Sequence, residues 1–80
     1  MLAGQPRTTH RFTVIFEKED EGGYHVFCPT LPGCRTQAET IEEGMTNIRE
    51  AMQLYLETLI EDGLPIPNED ILIKPIEISA

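Results

Sequence analysis

The sequence predicts an α+β domain with the element order β-β-β-α-β: a small mixed sheet with one helix on one face. Three observations carry that prediction. Short segments alternate apolar and polar residues between Gly and Pro turns, one long stretch repeats at about 3.6 residues behind a capping signature, and a proline-interrupted apolar run follows it. At 80 residues the chain is long enough for one domain with a modest core. Such a core leaves room for a partner subunit to add stability.

Residues 1–10 carry Gly, Gln, Pro and Thr without apolar periodicity and read as a flexible lead-in, so the domain proper is 11–80. From Arg11, the residues Phe12, Val14 and Phe16 alternate with Thr13, Ile15 and Glu17, the pattern of a strand with one buried face. The acidic run Lys18-Glu19-Asp20-Glu21 ends in Gly22-Gly23, which supplies positive φ for a hairpin, and Tyr24 to Cys28 returns antiparallel with Tyr24, Val26 and Cys28 on one face. Pro29-Thr30-Leu31-Pro32-Gly33 has turn chemistry, and Cys34 to Glu39 makes a short third strand.

Thr40 followed by Glu43 is a capping box, in which the hydroxyl accepts from the N3 amide and the carboxylate reaches back to the N-cap amide. Behind it Ile41, Met45, Ile48, Met52, Tyr55 and Leu59 form one apolar stripe, widened by Ala51, Leu56 and Ile60, and Gly63 follows as a natural stop. Leu64-Pro65-Ile66-Pro67 is an extended connection, and Ile71 to Ile78 reads as a last strand whose Pro75 places it at a sheet edge. A helix joining strands three and four is a right-handed crossover, which makes those strands parallel and puts strand one between strands two and four.

The formal charge is −8, from 14 acidic residues against 6 Lys and Arg, so the chain repels a phosphate backbone and suits a basic protein partner instead. Direct nucleic-acid binding is not expected. No secretory leader pattern precedes Arg11 and no run of eighteen apolar residues occurs, which makes the cytoplasm the expected compartment and free thiols the expected state of Cys28 and Cys34.

The ordered series Phe16-Glu17-Lys18-Glu19-Asp20-Glu21-Gly22-Gly23-Tyr24, Leu31-Pro32-Gly33-Cys34-Arg35-Thr36-Gln37, Leu54-Tyr55-Leu56 and Glu61-Asp62-Gly63-Leu64-Pro65-Ile66-Pro67 closely resembles the HicB-like antitoxin family over residues 11–78. The resemblance implies a truncated RNase H-like fold and a homodimer or homotetramer; the residues themselves lead to no expected cofactor and no expected enzymatic activity. The resemblance further implies membership of a type II toxin–antitoxin system, in which the protein neutralises a HicA-type toxin, a small and generally basic mRNA-cleaving ribonuclease. Many members carry a carboxylate where this chain has Thr30, so no role of that group is transferred. Many also append a helix-turn-helix or ribbon-helix-helix domain; with Ala80 as the last residue, no C-terminal DNA-binding domain is expected.

Candidate sites divide by chemistry. His25-x2-Cys28-x5-Cys34 offers three weak candidate metal ligands, short of the four that structural zinc usually takes, so no metal is expected. The carboxylates at Glu17, Glu19, Asp20 and Glu21 sit at a hairpin tip rather than on a sheet as a two-metal nuclease needs, and no catalytic residue is assigned. Partner or oligomer contacts fall on three places: Ile15, His25 and Phe27 on the sheet face opposite the helix; Leu54 among Glu50, Glu57 and Glu61 on the outer helix face; and Ile71 and Ile73 on the last strand. The alternative function is an orphan HicB-like oligomeric scaffold or small metal-binding module without a toxin.

Overall fold

The computed structural model describes residues 8–80, so most of the lead-in read over 1–10 lies outside the described residues. Strands β1 (Ile15–Lys18), β2 (Tyr24–Phe27) and β3 (Arg35–Ala38) form an antiparallel sheet in the order β1-β2-β3, and helix α1 (Ile41–Glu61) packs on one face. The α+β class and the β-β-β-α order are as predicted. The hairpin turns on Gly22 (φ 102°) and Gly23 (φ 77°), where a side chain at Gly23 would put its Cβ 2.8 Å from the Ala38 carbonyl oxygen. The corner between β2 and β3 closes on itself: the Leu31 amide donates to Cys28 O (3.1 Å), the Cys34 amide to Leu31 O (2.9 Å) and the Cys28 amide to Cys34 O (3.1 Å). That corner drives Leu31 to complete burial.

The last strand predicted over Ile71–Ile78 is not part of the sheet, which is therefore wholly antiparallel rather than mixed, and β1 stands at its edge instead of between two strands. The segment forms no regular element, and a strand exists only with a partner to bond. Pro65, Pro67 and Pro75 lack amide donors, and residues 70–80 run exposed away from the body. They form a free arm.

The helix begins as its signature requires. Thr40 Oγ1 accepts from the Glu43 amide (3.0 Å), while the Glu43 carboxylate accepts from the Glu39 amide (2.7 Å), one residue earlier than the usual reciprocal cap. It ends in a Schellman motif at Gly63 (φ 70°): the Leu64 amide donates to Leu59 O and the Gly63 amide to Ile60 O. Its apolar stripe is buried only in the middle. Ile48 is buried and Ala51, Met52, Tyr55 and Leu56 are half-buried against the core, but Ile41, Met45 and Ile60 are exposed. The reason is length: 21 helical residues span about 31 Å, whereas four-residue strands span about 13 Å, so the helix overhangs the sheet.

The core consists of Val26, Cys28, Leu31, Cys34, Ala38 and Ile48, with Phe12, Val14, Phe16 and Tyr24 packed against it. Gly44 lies buried where the helix meets the sheet. A Cβ there would stand 3.0 Å from Phe16 Cζ and 3.2 Å from Val26 Cγ2, so only the missing side chain lets the backbone come this close.

Candidate functional site: partner-binding surfaces

Strand alternation divides the sheet cleanly. Phe16, Tyr24, Val26 and Ala38 face the helix, with Phe16 and Tyr24 edge to face at 5.8 Å, and the register leaves two rows on the opposite face: Ile15–Phe27–Arg35 and Glu17–His25–Gln37. Ile15, His25 and Phe27 are thus brought together as predicted. All three are half-buried, the His25 and Phe27 rings lie 5.3 Å apart, and His25 Nδ1 stands 3.5 Å from Glu17 Oε1. This is a small apolar patch rimmed by charge.

His25, Cys28 and Cys34 all border one open cavity of about 300 Å³ beside the corner, with both cysteines buried and His25 half-buried. Among the described residues no group of three His, Cys, Asp or Glu side chains is placed to hold a metal ion. Burial pushes both thiols up from their ordinary pKa; Cys28 is partly compensated by hydrogen bonds from the Leu31 and Thr30 backbone. Protonated and enclosed, they behave as small apolar core residues.

On the helix, Glu50, Leu54, Glu57 and Glu61 are exposed, Leu54 at 66%. Leu54 is not isolated: together with Arg35, Ala51, Tyr55 and Leu59 it lines an open groove of about 470 Å³ between the helix and the start of β3. The last helical turn contains no basic residue, and Glu57, Glu61 and Asp62 sit where the helix dipole is negative, an arrangement unfavourable to the isolated chain. Ile71 and Ile73 lie on the arm, 43% and 59% exposed, far from either patch in sequence and not packed against the core.

Sequence reasoning missed Glu69. Its carboxylate grips Thr13 with both oxygens, accepting from the amide at 2.6 Å and from the hydroxyl at 2.6 Å, and also accepts from Thr30 Oγ1 at 3.1 Å. Those hydrogen bonds, the Thr13 hydroxyl first, hold its pKa below the ordinary carboxylate value. Glu69 binds the root of the arm to the end of the sheet, where the ladder from β1 would next meet Pro29. Thr30 faces a carboxylate supplied from elsewhere in the chain; nothing local in FCPTLPGC could have signalled it.

Residues 12–77 match the family model described as HicB-like antitoxin of bacterial toxin–antitoxin system. The chain belongs to the HicB-like antitoxin family. A UPF0150 protein of Synechocystis sp. is 49% identical over 73 residues, covering 91% of this chain and 92% of that protein. An Antitoxin HicB 1 of Photorhabdus laumondii is 31% identical over 75 residues, covering 88% of this chain but 48% of the relative. Among solved structures, the N-terminal domain of the Burkholderia pseudomallei antitoxin HicB is similar at a TM-score of 0.60 and 35% identity, over 82% of this chain and 72% of that one. The HicB-like fold is shared, and the antitoxin class of the family follows with it. No helix among the described residues is long and apolar enough to cross a membrane.

Proposed function

We propose that this protein is the antitoxin of a type II toxin–antitoxin pair, a non-enzymatic cytoplasmic protein that binds and neutralises a HicA-type mRNA-cleaving ribonuclease. The observation that carries the reading is the exposed acidic face of the HicB-like helix, Glu50, Glu57 and Glu61 around Leu54. A basic partner is attracted by the net charge of −8, seats an apolar side chain against Leu54, and relieves the unfavourable acidic end of the helix dipole. Covering the toxin's RNA-binding surface is sufficient for inhibition and asks no catalytic residue of this chain. The same charge disfavours direct contact with nucleic acid.

The chain works as a homo-oligomer, a reading supported by the half-buried Ile15, His25 and Phe27 patch and by the exposed apolar arm that includes Ile71 and Ile73. The antitoxin reading requires a small basic protein encoded beside this one, and its test is messenger-RNA cleavage by that protein with and without the purified chain. Stoichiometric suppression of cleavage, weakened by Leu54→Asp, supports it; undiminished cleavage at excess chain would sink it.

A further inference from the structure

Three features of the fold complement one another. The first is the outer edge of β1. The Glu19 amide donates to Gly23 O at 3.0 Å, which sets the ladder phase: Ile15 and Glu17 bond to β2, and Val14, Phe16 and Lys18 turn their backbone groups outward. At the other side of the sheet the corresponding outward carbonyl, Gln37 O, already accepts from Asn47 Nδ2 at 3.3 Å. β1 is an open edge, and the β3 edge is partly occupied.

The second is an open cleft of about 550 Å³ between the β1 lead-in and the helix, lined by Val14, Met45, Met52 and Leu56 together with Arg11 and Arg49. The third is the arm, whose Leu72, Ile76 and Ile78 are 83%, 82% and 79% exposed. These share strand parity with Lys74, so one edge and one face of an extended arm belong to them. A strand paired through these positions loses no donor to Pro75, whose missing N–H then faces outward. On the same parity, Asp70 matches the cleft's Arg11 and Arg49 in charge and Lys74 does not, whereas Glu77 belongs to the opposite face.

We propose that the arm of one copy adds as an edge strand to β1 of a second copy, reciprocally, with Leu72, Ile76 and Ile78 filling the second copy's cleft. The chain's own arm leaves the body at Glu69, giving a molecule 58 Å long against 26 and 22 Å across, and does not return to its own β1. The exchange restores a fourth strand in the place the sequence pattern called for. It rests on the self-association inferred above and names its surface.

The experiment is light scattering on the purified chain alone at tens of micromolar, beside a truncation ending at Glu69 and the point variant Ile76→Asp, with thermal melts confirming that each folds. A dimer for the full chain and half that mass for both variants is the expected result. Copies carrying Met45→Cys, mixed with copies carrying Ile76→Cys, should then cross-link to each other. A monomeric full chain overturns both the exchange and self-association; a truncation that remains dimeric overturns the exchange alone, as does a Met45→Cys, Ile76→Cys double variant that bridges within a monomer. Toxin inhibition is scored separately, so its absence in a chain with an arm-dependent dimer would fail the antitoxin reading without touching this one.

Discussion

Gly44 shows how a single residue sets the distance between two layers. Replacing it with Ala gains about 1 kcal/mol of helix propensity, yet the new methyl collides with the Phe16 ring and Val26. Gly44→Ala is expected to lower stability by about 1–3 kcal/mol net, as overpacking does, read from urea unfolding. Glu69 acts at the same scale through charge. Its pKa is depressed in the folded chain, so its contribution is present above the unfolded carboxylate's pKa and is lost as pH falls through the folded value. Glu69→Gln should therefore flatten the acid limb of the stability profile relative to the parent chain, and an unchanged limb would show that the Thr13 clamp contributes nothing.

Among the elements, the helix was legible almost to the residue, because Thr40, Glu43, the apolar repeat and Gly63 all act within one turn of themselves. The hairpin and the buried corner at FCPTLPGC were legible for the same reason. What escaped was non-local. A glycine inside a helix reads only as a weak helix former until Phe16 is seen beneath Gly44, and the partner of Glu69 lies 56 residues away at Thr13. The run from Ile71 to Ile78 predicts a fourth strand, but sequence specifies a propensity to pair without saying where the other strand comes from. The acidic helix end yields a prediction of opposed sign: Glu61→Lys should stabilise the isolated chain by about 0.5 kcal/mol, through the dipole, while weakening toxin binding. Thermal melts and an inhibition titration on one preparation test both halves.

For the whole molecule, a charge of −8 on 80 residues means that encounter with a basic partner is steered at long range and screened by salt. Raising the ionic strength should slow association with the toxin more than it speeds dissociation, measurable by stopped-flow mixing. An equal effect on both rates would place the charges inside the contact rather than around it.

The Asn47 side chain over Gln37 has a consequence for how many neighbours a copy can acquire. In polymer terms, a sheet with two live edges is a bifunctional monomer and grows into filaments as concentration rises. The occupied Gln37 carbonyl weakens the β3 edge and Pro75 removes a donor from the far side of an added arm, while reciprocal exchange uses the β1 edge and the arm of both copies. Growth terminates at the first closed ring, so a chain with this much exposed isoleucine should give saturable association rather than fibres.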